Sequence, residues 1–149
     1  MRLFLVAGES SGDALGAALM AGLRALLPQV AFEGIGGPLM AAQGLASRFP
    51  MDELSIMGLA EVLPKYRALK RRIRETAEAI AASGPDAVIT IDSPDFCLRV
   101  LALARAANPG LRTIHYVAPS VWAWRPGRAV RMARVVDHVL ALLPFEPPY

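Results

Sequence analysis

Two carboxylates, Asp92 and Asp95, lie three residues apart directly after the apolar run of residues 87–91. A carboxylate held at the end of a buried strand can act as a general base that removes a proton from a bound hydroxyl. Asp95 follows Pro94 and is also placed to cap the next helix by accepting hydrogen bonds from free backbone N–H groups. The motif alone leaves a second interpretation open, in which both acids only begin a helix.

A second polar cluster, Gly-Glu-Ser-Ser-Gly-Asp at positions 8–13, follows the apolar run of residues 2–7. Backbone N–H groups at a helix start, surrounded by hydroxyls, suit a phosphate or a sugar, and the glycines permit close approach. Serine and aspartate are also ordinary capping residues, so a purely structural turn is the alternative. A third glycine cluster, at positions 34–37, is only a fragment of a dinucleotide-binding pattern and follows the second strand.

The segment 116–128 contains both tryptophans of the chain, Trp122 and Trp124, with Arg125 and Arg128 close behind. A tryptophan face stacks on a sugar ring or packs on an acyl chain, and arginine neutralises phosphate. Packing of the loop against the sheet explains the tryptophans equally well.

Two residues with reactive side chains are predicted to be structural. His115 alternates with apolar residues in a strand, and the single cysteine, Cys97, lies near a helix start with no histidine close in sequence. One cysteine excludes an intramolecular disulfide and a multi-cysteine metal site, and no other cluster of metal ligands is visible. We therefore expect no metal.

The net charge of +3 hides a strong segregation of charge. Six basic residues lie within positions 65–74, and positions 99–134 contain seven arginines and no acid. Such a field attracts anionic groups, including phosphates, lipid head groups and nucleic acid. The predicted helix over 58–83 combines these cations with an apolar stripe, which is typical of a membrane-surface helix and also of a solvated helix packed on a core.

The elements that would position these clusters alternate along the chain. Strands are predicted at 2–7, 30–34, 87–91, 111–117 and 139–143, and helices at 14–27, from 38, at 58–83, 94–107 and 126–134. This order predicts one α/β domain, a Rossmann-like parallel sheet with helices on both faces. Ligands of such sheets bind beyond the carboxyl ends of the strands, where every polar cluster above falls.

Six segments carry a resemblance to a known family. They are VAGESSGDALGA (6–17), GIGGPLM (34–40), MDELSIMGLAEVL (51–63), IDSPDF (91–96), HYVAPSVWAWRPGR (115–128) and LLPFE (142–146). In this order and at this spacing they closely resemble the amino-terminal half of the bacterial lipid-A-disaccharide synthases. That family has the two-domain GT-B fold, so the resemblance implies that residues 1–149 form its N-terminal, acceptor-side Rossmann-like domain. The C-terminal domain that would bind the nucleotide sugar is absent from this chain.

The resemblance also implies a reaction. The family transfers diacylglucosamine from UDP-2,3-diacylglucosamine to 2,3-diacylglucosamine-1-phosphate with inversion and releases UDP, using neither a metal nor another cofactor. By this likeness Asp92 is the base that deprotonates the acceptor hydroxyl, and the chain alone is expected to be inactive. The implied substrate contacts are Glu9, Ser10, Ser11, Gly12, Asp13, Asp95, Ser120, Trp122, Trp124 and Arg125.

Because both substrates are acylated, the basic helix is expected to attach the protein to the cytoplasmic face of the inner membrane. The implied membrane contacts are Leu59, Val62, Leu63, Tyr66 and Leu69. No nucleic-acid partner is expected. Two other functions compete on the residues alone: half of a dinucleotide-dependent oxidoreductase, and a non-catalytic module that binds nucleic acid or membrane. The glycine spacing after the first strand argues against the first.

Overall fold

The computed structural model describes residues 1–54, 62–117 and 127–142, with residues 62–64 as backbone only. Within these ranges the strands are β1 (Arg2–Ala7), β2 (Ala31–Ile35), β3 (Ala87–Ile91), β4 (Thr113–Tyr116) and β5 (His138–Leu140). The helices are α1 (Ser10–Leu26), α2 (Pro38–Ala42), α3 (Val62–Ser83), α4 (Pro94–Ala107) and α5 (Gly127–Ala133), with a 3-10 turn at Met51–Leu54.

All five strands are parallel, in the order β2-β1-β3-β4-β5. The crossover from β1 to β2 and the crossover from β3 to β4 run in opposite directions across the sheet. Because such crossovers are right-handed, α1 and α4 lie on opposite faces. Helix α3 packs on α4, and α2 packs on α1. The predicted Rossmann-like sheet with helices on both faces is confirmed.

The core is centred on the two inner strands β1 and β3. Phe4, Leu5 and Val6 are completely buried, as are Val88 and Ile91. A central parallel strand is covered on both faces, which is why these strands are continuous apolar runs instead of alternating ones. The edge strand β5 is exposed along its whole length.

The bounds of β1, β3 and α4 coincide with the predicted bounds. Helix α1 begins at Ser10 instead of residue 14, so most of the predicted polar turn is the first turn of this helix. In α3, Pro64 lies in the first turn, where its missing N–H breaks no helical hydrogen bond. The predicted start of that helix at residues 58–61 lies outside the described residues, and the 3-10 turn was not predicted.

The carboxylate of Asp13 links α1 to the start of α2 through hydrogen bonds. Its side chain is buried, with the residue only 3% exposed, and its two oxygens accept hydrogen bonds from three backbone N–H groups. The donors are Gly37 at 3.0 Å, Leu39 at 3.0 Å and Met40 at 2.9 Å. A helix start leaves such N–H groups without intrahelical partners. Asp13 was predicted to contact substrate, and in this structure its carboxylate oxygens accept from the backbone of α2.

We expect Asp13→Asn to lower the free energy of unfolding by about 2 kcal/mol, because an amide replaces two charge-assisted acceptor oxygens with one neutral acceptor. Urea unfolding measures the change. Asp52→Asn, at an exposed position in the 3-10 turn, is the matched control and should change stability by no more than about 0.5 kcal/mol. Equal stability of the two variants would contradict the assigned role of Asp13.

His115 and Cys97 are buried, as predicted for structural residues. The Nδ1 atom of His115 lies 2.7 Å from the Thr90 hydroxyl, and Nε2 has no hydrogen-bond partner among the described residues. Burial lowers the pKa of His115 to about 4, against the opposing effect of the nearby Asp92 carboxylate. Burial raises the pKa of the Cys97 thiol, and Asp92 raises it further. Both side chains are therefore neutral near pH 7.

Because protonated His115 is disfavoured in the folded state, we expect stability to fall as the pH drops from about 6.5 towards 4. The unfolded chain takes up the proton first, and the loss between pH 6.5 and pH 4.5 is about 2 kcal/mol. Urea unfolding across this range measures it. His115→Gln should remove this component of the slope, whereas His138→Gln, at the other and exposed histidine, should leave it. An unchanged slope in His115→Gln would rule out this origin.

Candidate active site

The order of the sheet places its topological switch point between β1 and β3, and we call the space outside the carboxyl ends of these two strands the crevice. The chain leaves these neighbouring strands in opposite directions, and in doubly wound sheets ligands bind at such a switch point, outside the carboxyl ends of the strands. The turn after β1 contains Gly8 and Glu9, and the turn after β3 contains Asp92 and Ser93. Two of the predicted polar clusters therefore meet at one rim.

The hydroxyl of Ser11 donates a hydrogen bond to Oδ2 of Asp92 at 3.0 Å. Ser11 is exposed in the first turn of α1, and Asp92 is half-buried. The two residues are 81 positions apart in the chain, so this contact exists only because β1 and β3 are neighbours. It leaves the other oxygen of Asp92, Oδ1, with no hydrogen bond to any described residue and thus able to accept a proton from a ligand.

The backbone at the rim is held in a conformation that L-residues rarely adopt. Asp92 has φ 53° and Ser93 has φ 43°, and Val117, directly after β4, has φ 75°. Of the non-glycine residues that the structure describes, these three alone have positive φ. The turn is fastened by the Asp92 N–H, which donates to the Tyr116 carbonyl at 2.9 Å. Such strain of order 1–3 kcal/mol per residue clusters at functional sites.

Gly8 is required where the two turns touch. A Cβ at this position would lie 2.6 Å from Oγ and 3.0 Å from Cβ of Ser93. Gly12 has a similar role within the first turn of α1, because its Cβ would lie 3.2 Å from the carbonyl oxygen of Ile91. These glycines let the start of α1 approach β3 closely enough for Ser11 to reach Asp92.

The start of α1 adds hydrogen-bond donors to the rim. Glu9 is the N-cap residue and makes no side-chain capping bond, while its carbonyl accepts from Asp13 N–H at 2.9 Å. The N–H groups of the first turn have no intrahelical partners and carry the positive end of the helix dipole. Together with the exposed Ser10 and Ser11 hydroxyls, they can bind a sugar hydroxyl or a phosphate oxygen beside Asp92.

Asp95 was predicted to cap α4, but its carboxylate pairs with Arg128 instead of with the backbone of that helix. Its side chain is 76% exposed, and Oδ1 accepts from Arg128 at 3.1 Å, which joins the starts of α4 and α5. Among the described residues, this carboxylate accepts no hydrogen bond from the backbone of α4. The charge still lies in the first turn of α4, where it opposes the helix dipole favourably.

Several predicted site residues lie outside the described residues: Ser120, Trp122, Trp124 and Arg125 of the predicted substrate contacts, and Leu59 of the predicted membrane stripe. Val62 and Leu63 are described as backbone only. Of the remaining stripe, Tyr66 is 39% exposed, but Leu69 packs against the core. Leu69 is only partly buried, and its contact with the core gives it a structural role beside the predicted one.

The described residues hold no group of three or more histidine, cysteine, aspartate or glutamate side chains suited to a metal ion. No helix in the same ranges of the chain is both long enough and apolar enough to span a bilayer.

Sequence reasoning missed the contacts of Gly8 with Ser93 and the strained turn at residues 92–93. Only one signal pointed to the turn: Ser93 precedes a proline, which disfavours the right-handed helical conformation. Nothing in the sequence indicated that Gly8 packs against Ser93, because the two residues lie far apart along the chain.

The parallel sheet, with a carboxylate and a free helix start at its switch point, defines a Rossmann-like domain, a class of fold in which ligands bind at the carboxyl rim of the strands. The family model described as lipid-A-disaccharide synthetase matches residues 3–149, and the chain belongs to this family. This membership argues against the oxidoreductase and the non-catalytic module.

Curated relatives agree with the family match. The chain is 70% identical over 149 residues to the lipid-A-disaccharide synthase of Ruegeria pomeroyi. That alignment covers 100% of this chain and 37% of the relative. The chain is 57% identical over 148 residues to the enzyme of the same name from Rhodospirillum centenum, covering 99% of this chain and 37% of the relative. The chain thus spans little more than a third of the length of these relatives.

We expect Gly8→Ala to destabilise the protein by about 2 kcal/mol, because the added methyl group must displace Ser93 in a turn that is already strained. Urea unfolding measures the loss. Gly22→Ala is the matched control: this exposed position in α1 has nothing within 4 Å of an added Cβ, so the change should raise stability by up to about 1 kcal/mol. A stable Gly8→Ala variant would show that the two turns are not packed as described.

Proposed function

We propose that this chain supplies the acceptor side of a lipid-A-disaccharide synthase. In this proposal the enzyme transfers diacylglucosamine from UDP-2,3-diacylglucosamine to 2,3-diacylglucosamine-1-phosphate and releases UDP. Family membership and the name of the curated relatives support it. We assign the nucleotide sugar to a C-terminal domain that these 149 residues do not include, so the chain alone should not turn over.

The observation that carries the proposal is the contact of Ser11 with Asp92 at the switch point. A sugar hydroxyl is a poor nucleophile near neutral pH, and a carboxylate within hydrogen-bond reach can remove its proton as the new bond forms. With Oδ2 held by Ser11, the other oxygen of Asp92 is the one that takes the proton. The strained backbone at Asp92 fixes the direction of the carboxylate before substrate binds.

The start of α1 would orient the acceptor. Glu9 and Ser10 are exposed beside Ser11, and they can accept from and donate to the hydroxyl groups of a glucosamine ring. The first-turn N–H groups up to Gly12 would bind its oxygen atoms. Asp95 is proposed as a further contact, and so are Ser120, Trp122, Trp124 and Arg125, which lie outside the described residues. No step in this proposal passes through a metal ion or a cofactor.

We further propose that the protein works at the cytoplasmic face of the inner membrane without crossing it, and that it has no nucleic-acid partner. The acyl chains of the proposed substrates support a membrane contact, as does the basic surface of α3. Tyr66, exposed near the start of that helix, lies beside the cation Lys70, with 5.0 Å between its ring centre and the ammonium group. Leu59, Val62 and Leu63 would extend this contact.

In the protein expressed from its complete reading frame, we expect Asp92→Asn to lower kcat by about 100-fold or more with little change in KM, because the amide cannot accept the proton. Disaccharide formation from the two purified lipid substrates in detergent measures the effect. Asp86→Asn is the control, since it removes an exposed carboxylate that directly precedes β3, at the opposite end of that strand from Asp92. Circular dichroism confirms that each variant is folded. A folded Asp92→Asn variant with near-normal kcat would remove Asp92 from the mechanism.

A further inference from the structure

Two grooves flank α4 on the face of the sheet that also carries α3. The first, with a volume of about 560 Å³, lies between α3 and α4. The second, of about 280 Å³, lies between α4 and α5. Arg99 and Ala102 on α4 line both, so the two grooves form one surface, which we call the α4 groove. Its described lining includes none of Ser11, Asp92 and Ser93, the residues that mark the crevice between β1 and β3.

The rim of the α4 groove is strongly cationic. Lys70, Arg74 and Arg99 line its first section, and Arg128, Arg131 and Arg134 line its second section. Asp95, the one acid among the described residues of the lining, is paired with Arg128. Arg74, Arg99, Arg131 and Arg134 form no ion pair with any residue that the structure describes. Cations gathered in this way repel one another, so an anion that binds between them is strongly favoured.

The floor of the first section is apolar. Ile73 and Ala102 line it together with Leu103, a leucine that is 47% exposed. An apolar floor below a cationic rim matches a phospholipid, whose phosphate lies above an acyl chain. A single strand of nucleic acid would use aromatic side chains to stack its bases, and the described lining contains none.

We propose that the α4 groove binds an anionic phospholipid of the bilayer. Lys70, Arg74 and Arg99 contact the phosphate, and the first carbons of an acyl chain lie on the floor at Ile73 and Leu103. This inference rests on the membrane contact proposed above, and it locates the lipid-binding part of that contact in the α4 groove. Helix α4 begins at Pro94, two residues after Asp92, so a lipid in this groove would hold the crevice close to the bilayer surface.

The test is sedimentation with vesicles, using the protein expressed from its complete reading frame. Vesicles of phosphatidylglycerol and phosphatidylcholine are compared with vesicles of phosphatidylcholine alone. The triple variant Lys70→Gln/Arg74→Gln/Arg99→Gln should bind the anionic vesicles about 100-fold more weakly, at roughly a factor of five per cation near the surface. Leu103→Ser should also weaken binding, because it removes apolar contact while leaving every charge in place.

The matched control, Arg24→Gln/Arg48→Gln/Arg112→Gln, removes three positive charges at positions that do not line the α4 groove. It should retain most of the binding. Equal losses in the two triple variants would overturn the proposal in favour of diffuse attraction. If Leu103→Ser leaves vesicle binding unchanged, the groove is a simple anion site and the proposal is overturned. The same conclusion follows if millimolar inorganic phosphate abolishes vesicle binding. Preferential retention on DNA, lost in the groove variant, would replace the lipid with nucleic acid.

Disaccharide synthesis by the wild-type protein in detergent is a separate measurement. Absence of that activity would refute the proposed function, whereas the groove is judged by vesicle binding alone. The two proposals can therefore fail independently.

Discussion

The hydrogen bond from Ser11 to Asp92 joins the two strands whose adjacency defines the crevice. It requires the start of α1 to lie against the end of β3, which Gly8 and Gly12 permit by having no Cβ. It also requires the chain to leave β3 through two residues in the left-handed region. The left-handed backbone of Asp92 and Ser93 is unfavourable by itself. It persists because the packed strands β1 and β3 determine where both turns must pass.

Acids near the rim have distinct structural tasks. Asp13 is enclosed and satisfies three N–H groups of α2, whereas Asp92 has one donor and faces the crevice. Asp95 is exposed and paired with Arg128. Asp13 differs from the other two in the number of its donors, whereas Asp92 and Asp95 have one donor each and differ in position: Asp92 directly follows β3, and Asp95 lies in the first turn of α4. A fully bonded carboxylate holds the fold together, and one with a free oxygen can bind a proton or a ligand.

A neutral polar layer lies below the rim. The Thr90 hydroxyl contacts Nδ1 of His115, Cys97 is buried near them, and burial keeps the imidazole and the thiol uncharged. The carboxylate of Asp92 acts on the pKa of each, so it lies close to this layer. A negative charge above neutral groups has no buried cation to neutralise it among the described residues. That arrangement suits a base that must be free to accept a proton.

Local sequence determined the elements. β1, β3 and α4 coincide with their predicted bounds, because apolar runs and flanking glycine or proline residues act over a few positions. The meeting of the polar clusters after β1 and β3 at one rim also followed from sequence, since parallel strands end at a common edge. The family resemblance was equally visible in the motifs, and the family match confirms it.

Tertiary structure decided which clusters meet. Ser11 reaches Asp92 across 81 positions, Asp13 reaches Gly37 across 24, and Asp95 pairs with Arg128 across 33. These partners depend on the order of strands and on the face that each helix covers. Local propensity carries no information about either. The sequence therefore specified the groups available for chemistry, and only the packing of the sheet placed one carboxylate, that of Asp92, beside the start of α1.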